Sequence, residues 1–374
     1  MIRVSAATRV QDVLNLRESW DGLLETSGGT VFQSWEWQRV WWKHYGRDKR
    51  PFILLVYEDE ELMGIAPFFV SLSHLGLPFK VISFLGSGPS DYGDFLLHPS
   101  RRAEALEAIM GYLQTSEDWD VIDLQEIPSN SANLRALREL YGKGDFYPVI
   151  GGVGKIQEFT QDVSLALSLP GNWDGFLQSL DRKFRWNILY YARRLRRNHG
   201  VQVHRAGSVE EVDRGMSDLF LLHRRRQREK GLPTPILSRR YRGFHREVAH
   251  QFFRRGWLAL YSLRVDEEVV SALYGFEHGD RFYYYLGGFD PSWGRLSVAT
   301  ILIAEVIEEA IERGFKTFDF LRGEESYKVR WGAVPRQNIR LVITRGRLRS
   351  SLLKAILERE NVVIREVKQK LQKL

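Results

Sequence analysis

Between Phe318 and Gly332 the chain reads FDFLRGEESYKVRWG. This short stretch carries carboxylates at Asp319, Glu324 and Glu325, a phenol at Tyr327, an ammonium at Lys328, guanidinium groups at Arg322 and Arg330, and an indole at Trp331. A turn at the edge of a sheet needs a glycine and a few polar residues; it does not need this set. The chemistry such a set supports is proton transfer. A phenol, with its usual pKa of about 10, is protonated at neutral pH and can give its proton away. A carboxylate can accept one, more readily where burial raises its pKa. Tyr327 is therefore the candidate acid, and Glu325 and Asp319 are the candidate bases. Strand alternation turns Asp319 away from the face of Phe318 and Phe320. A structural ion pair with Arg322 or Lys328 is the competing reading of Asp319.

The rest of the composition narrows the chemistry. There is no cysteine among the 374 residues. Disulfides, cysteine–zinc sites, iron–sulfur clusters and a thiol nucleophile are excluded. The nine histidines form no HxH or HExxH pattern, so no metal site is expected. A net charge of +7 suits an anionic partner such as a nucleotide-linked donor, a phosphorylated intermediate, RNA or an anionic membrane face. No window reaches the roughly 18 apolar residues of a membrane span, and the amino terminus shows no apolar signal core. A cytoplasmic protein is the expectation.

The elements that position these residues repeat. EDEELMGIAPFF (58–69) matches VDEEVVSALYGF (265–276), each a hairpin around an Asp-Glu turn. VISFLGSGPSDY (81–92) matches FYYYLGGFDPSW (282–293), each a strand leaving through glycine. WDVIDLQE (119–126) matches FKTFDFLR (315–322). Helices are expected over 10–24, from Ser34 as N-cap, over 101–114 and over 297–313, with basic helices over 174–199 and 209–230. Three matched blocks in one order predict a duplicated α/β (α+β) architecture of two domains, each a mixed, mainly antiparallel sheet flanked by helices. The expected division is 1–150, then 151–346 carrying the reactive segment, then a basic amphipathic helix over 347–374, with a linker around GGVG at 151–154.

The phrases LDRKFRWNILYYARRLRRNHGV, LHRRRQREKG, YLGGFDPSWGRLSVATILIAEVIEEAIERG and FDFLRGEESYKVRWGA make the second half resemble the GNAT acyltransferase superfamily, specifically its CelD-like tandem members near cellulose or exopolysaccharide biosynthesis. The first half resembles it through FQSWEWQRVWW, MGIAPFFV and FLGSGPSDYGDF. The chain is also similar to the Fem peptidyl transferases, which use aminoacyl-tRNA and two GNAT-like halves. The resemblance implies an acyltransferase, most simply an N-acetyltransferase, moving an acyl group from acetyl-CoA or another acyl-CoA to an amine or hydroxyl of a small molecule, sugar or cell-envelope precursor. A Fem-like aminoacyl-tRNA-dependent transferase and a non-catalytic pair that only binds are the alternatives. One departure stands out. Where GNAT enzymes carry a glycine-rich pyrophosphate loop, this chain has DPSWGRLSVAT, with Gly294 alone.

On that reading Gly287 and Gly288 admit the donor's backbone. Arg295, Leu296 and Ser297 lead into a helix whose N-terminal amides face phosphate. Tyr327 protonates the leaving group. Arg185 and Arg225, within basic helices, would hold an acceptor phosphate, with Arg322, Lys328 and Trp331 lining the acceptor side. Asp91 and Tyr92, in the loop GSGPSDYGDF, would meet an ammonium group. Solvated helix faces and a plain polar turn are the bland readings of the same residues. Contact with tRNA or with an anionic membrane is the remaining partner expectation.

Overall fold

The computed structural model describes residues 1–9, 12, 16–73, 77–116, 119–141, 147–148 and 155–344, together with 355 and 359. The expected linker at 151–154 and nearly all of the expected terminal helix over 347–374 fall outside them. The chain divides into two units. Unit 1 is Met1–Val163 with Arg336–Lys373, and unit 2 is Ser164–Pro335.

In unit 1, β1 (Ile2–Ala7) precedes two helices, α1 (Arg17–Ser27) and α2 (Trp35–Tyr45). The hairpin β2 (Lys49–Glu58) and β3 (Glu61–Ser71) comes next, then β4 (Val81–Phe84), the short β5 (Leu96–Leu97), α3 (Arg102–Thr115), β6 (Val121–Pro128) and α4 (Ala132–Tyr141). The short β7 (Tyr147–Pro148) pairs with the start of β8 (Lys155–Ser168). In unit 2, past β8, come α5 (Trp173–Ser179), α6 (Arg182–Asn198), β9 (Val201–Arg205), α7 (Val209–Glu229) and α8 (Arg239–Arg254). The hairpin β10 (Leu258–Val265) and β11 (Glu268–His278) leads to β12 (Arg281–Phe289), α9 (Val298–Glu312), β13 (Thr317–Arg322) and α10 (Ser326–Arg330). The last strand, β14 (Val334–Thr344), returns to pair with β6 of unit 1.

The duplication holds strand by strand. The order is β1-β2-β3-β4-β6-β14 in unit 1 and β9-β10-β11-β12-β13-β8 in unit 2. Each sheet has a single parallel contact among these pairs: β4 with β6, and β12 with β13. Among the described elements two α-helices lie between the first and second strands of each set, and one helix makes each parallel crossover, as such a connection requires. The matching hairpin turns place Asp59 at φ 53° and Asp266 and Glu267 at φ 48° and 71°. Turn chemistry drives this, since Asp tolerates the left-handed region better than most residues.

Burial obeys the same logic in both sheets. Val56, Phe68, Ile82, Leu106, Ile109 and Ile122 form the centre of the unit 1 core. In unit 2, Leu263, Phe276, Ile301, Ile307 and Phe318 are buried. The basic segment expected as one helix over 174–199 is two. Asp181 ends the first by capping the second, its carboxylate accepting from the Lys183 and Phe184 amides at 3.0 Å each. Of the helix expected over 10–24, residues 10, 11 and 13–15 lie outside the described residues, Asp12 is helical, and α1 covers Arg17–Ser27.

Candidate active site

The reactive segment takes its geometry from the way β12 and β13 part. Parallel pairing joins Arg281 to Thr317, Phe282 to Phe318 and Tyr283 to Asp319, and goes no further. Both strands bend where it stops. On β12 the register with β11 shifts between Tyr274 and Gly275, leaving Tyr285 as an inserted residue between Tyr284 and Leu286. On β13, Leu321 adopts φ 59°. A branched residue in the left-handed region costs energy and needs a compensating bond. Asp319 supplies it, its Oδ1 accepting the Leu321 amide at 2.9 Å.

Asp319 is fully buried, with the Arg281 guanidinium 3.5 Å away. The acid expected as a candidate base is thus committed to holding the bend where the strands separate. Lys328 is also corrected. Its ammonium is buried and donates to the carbonyls of Arg322 at 2.6 Å and Gly323 at 3.2 Å, with Glu325 2.8 Å away. It ties the turn together instead of reaching toward an acceptor. Trp331 is buried against Phe184 (4.9 Å, edge to face) and stacks with Phe176, so it is core and not a wall of an acceptor cleft.

Tyr327 stands at the mouth of the parted strands. Its hydroxyl shares a hydrogen bond with Tyr284 of β12, and Glu325 lies close enough to act on both phenols electrostatically. Tyr327 is 37% exposed, and its hydroxyl meets that of the half-buried Tyr284. Burial, with the neighbouring Tyr284 and Glu325, pushes the Tyr327 phenol well above its usual range. Burial does the same to Tyr284. Both phenols therefore stay protonated across the neutral range. Phe320 braces the pair, its ring 5.9 Å from Tyr284 and 6.2 Å from Tyr327. The Glu325 carboxylate is half open to solvent.

The glycines of β12 answer a different need from the one expected. A Cβ on Gly287 would fall on the Tyr284 hydroxyl. One on Gly288 would fall on the backbone of Leu222 and His223 in α7. The strand is bare here so that Tyr284 and the helix can close on it from opposite sides. His223 is buried and its Nδ1 donates to the Gly287 carbonyl at 2.9 Å; desolvation lowers its pKa.

Downstream, the departure in the phosphate loop is a short 3-10 helix, Pro291–Leu296, capped by Asp290. Arg225 pairs with Asp290, so the arginine expected to bind phosphate fastens α7 to this turn. Ser297 occupies the N-cap position of α9 at φ 54° but makes no side-chain capping bond, contrary to expectation. The first-turn amides of α9 are left uncovered by that side chain. Arg295 is exposed, with no ion pair among the described residues. Leu296 is half-buried. Arg185 is half-buried and only approaches the Leu177 carbonyl at 3.5 Å. Arg322 is half-buried at the end of β13.

Asp91 and Tyr92 belong to unit 1 and are both buried. The Asp91 carbonyl accepts from Asn338 at 3.1 Å, the Tyr92 carbonyl accepts from Gln33 at 2.9 Å, and the Tyr92 ring meets Phe32. They are structural in unit 1, not an exposed acceptor turn. The structure thus brings together Tyr327, Glu325 and the end of β13. It adds Tyr284 and His223, which the residue pattern alone did not single out. The only hint of Tyr284 was the run FYYYLGG, in which one face of a strand carries a phenol toward two glycines. Among the described residues no group of three or more His, Asp or Glu is placed to hold a metal ion.

Comparison with known proteins agrees with this geometry. The sequence profile of the family described as "Acetyltransferase (GNAT) domain" matches residues 182–329, less than half of the chain but all of the parted strands and Tyr327. No curated protein matches the sequence. Among solved structures, FemX is similar over 95% of this chain and 99% of its own, at 14% identity and TM-score 0.66. A conserved protein of unknown function from Bacteroides thetaiotaomicron covers 92% and 100%, at 13% identity and TM-score 0.55. L-PGS from Bacillus licheniformis covers 88% and 92%, at 13% identity and TM-score 0.53. At these identities the structural likeness is one of fold. The family match covers the site itself: residues 182–329 match a GNAT acetyltransferase domain, which makes this part of the chain a transferase of acyl groups.

Proposed function

We propose that unit 2 moves an acyl group from acyl-CoA to an amine or hydroxyl of a small-molecule, sugar or cell-envelope precursor, in the manner of a CelD-like enzyme at a cytoplasmic site. The observation that carries this reading is the Tyr327 phenol, kept protonated by burial and placed where β12 and β13 separate. The gap between the parted strands is where an extended thioester carrier would lie. The uncapped first turn of α9 and the exposed Arg295 suit its phosphates. In this scheme Glu325 takes the acceptor's proton and Tyr327 gives its own to the departing thiolate. Tyr284 holds the Tyr327 hydroxyl in place, while Asp319 and Lys328 keep the bend and the turn rigid.

The test uses a property of the composition. The chain has no cysteine, so a thiol reagent added to protein and acetyl-CoA reads only released CoA. Turnover with a panel of amines, together with a saturable rise in melting temperature on adding acetyl-CoA or desulfo-CoA that is lost in Arg295→Ala, is the expected result. No shift at millimolar ligand sinks the acyl-CoA reading. One feature favours a second donor: a 3-10 turn containing Gly294 alone stands where a glycine-rich pyrophosphate loop is expected. Under that reading the donor is an aminoacyl-tRNA. Transfer from charged tRNA that ribonuclease abolishes would establish it.

A further inference from the structure

Helix α6 has two unlike faces. Phe184, Ile188 and Leu195 are buried. Successive residues turn by about 100°, so the opposite face carries Trp186 and Tyr190 in its middle with Arg182, Lys183, Arg193, Arg194 and Arg197 around them. All seven are exposed. Trp186 is 56% and Tyr190 40% open to solvent, and their rings stack on one another at 4.5 Å and 11°.

The charges on this face are gathered on one helix without acidic residues. Arginines on neighbouring surfaces of unit 2 have acidic partners: Arg196 with Glu305, Arg225 with Asp290, Arg226 with Glu229, Arg313 with Glu277. The five cations on the outer face of α6 have none among the described residues, and α6 holds no Asp or Glu along its length. Arg196, on the flank toward α9, is neutralised; the face pointing away is not.

We propose that this face of α6 docks on an anionic lipid surface. Stacked Trp and Tyr rings between cations match the headgroup level of a bilayer, where amphipathic aromatics settle and arginines meet lipid phosphates. An RNA partner fits less well. The two rings close on each other and offer no gap for a base between them, and they stand on a convex helix instead of in a groove. The helix lies along the surface and does not enter it; no helix among the described residues is long and apolar enough to cross a membrane. This inference is independent of which acyl donor the enzyme uses.

The experiment is sedimentation of the full chain with vesicles of phosphatidylcholine alone or rich in phosphatidylglycerol. The expected result is binding to the anionic vesicles only, released by raising salt. Arg193→Gln with Arg197→Gln should weaken it by about thirtyfold, at roughly fivefold for each charge. Trp186→Ala with Tyr190→Ala should weaken it at constant salt sensitivity, which separates insertion from attraction. These side chains are exposed, and an unchanged melting temperature in each variant confirms an intact fold. Equal binding to both vesicle types, binding to neither, or anionic binding that survives both double substitutions overturns the proposal. So does an RNA oligonucleotide that binds in place of vesicles and is lost in the same variants.

Discussion

The two units share a strand order and differ beyond their parallel pairs. In unit 1, β4 ends at Phe84 after four residues. The chain then folds into a loop that the unit's own side chains fill. Trp37 donates to the Ser90 hydroxyl at 2.8 Å and Trp41 to the Ser87 carbonyl at 3.1 Å, and both indoles are almost wholly buried. In unit 2, β12 runs on to Phe289 after its last parallel contact at Tyr283, and the residues at the opening are a protonated phenol and an exposed carboxylate. Duplication supplied the same frame twice. Strand length after the parallel pair, and the indoles of α2, set the two openings apart.

The sharpest way to break that comparison is to move a hydroxyl. Tyr327→Phe should lower kcat by about a hundredfold or more, as loss of a general acid does, with a small change in KM. Tyr92→Phe in unit 1 should leave kcat unchanged. Equal loss in both would place the chemistry elsewhere. Next in size are the two matched carboxylates. Asp123 of β6 forms a buried two-point pair with Arg340, at 2.5 and 2.8 Å. Removing one partner from a buried pair costs about 3–5 kcal/mol, so Asp123→Ala should be severely destabilised in denaturant melts. Asp319→Asn keeps an acceptor for the Leu321 amide, and the Arg281 it faces is half-exposed, so it should lose less. The reverse order would mean that unit 2 depends on its acid more than unit 1 does.

Smaller effects test the packing. Gly288→Ala sets a methyl against the α7 backbone and should cost about 1–3 kcal/mol. Gly64→Ala in unit 1 meets the tip of the Leu97 side chain and should cost less. The smallest effect concerns protons. Burial depresses the His223 pKa below its unfolded value of about 6.5. The stability it contributes is complete above that value and is lost as pH falls through the lower native pKa. His223→Gln should flatten the acid limb of a stability–pH curve by at most one proton's slope.

Much of this frame was legible in the residues. The Asp-Glu hairpin turns, the strands leaving through glycine and the alternation in FDF all pointed to the right elements. The reactive segment was found because its residue types exceed what a turn needs. What escaped was non-local. β14 reads as an ordinary strand, and nothing local says that it pairs with β6 across more than two hundred residues. The roles of Asp319, Lys328 and Trp331 depended on burial, which residue type alone does not reveal. Lys328 was expected on the acceptor side because lysine is almost never fully buried. Gly287 and Gly288 were read as making space for a ligand, and the space is taken by Tyr284 and α7.

One inserted residue in β12 sets a parity. Phe282 and Tyr284 lie on the face of Phe318 and Phe320, whereas Gly288, an even number of positions further on, meets α7 on the other face. The extra residue at Tyr285 makes both possible by switching the count of the strand. Deleting that single codon would shorten the chain by one residue yet send Leu286, Gly287, Gly288 and Phe289 each to the wrong side. The bulge is therefore a constraint on the length of the strand. A substitution on this strand changes one side chain, whereas a change in its length moves four at once.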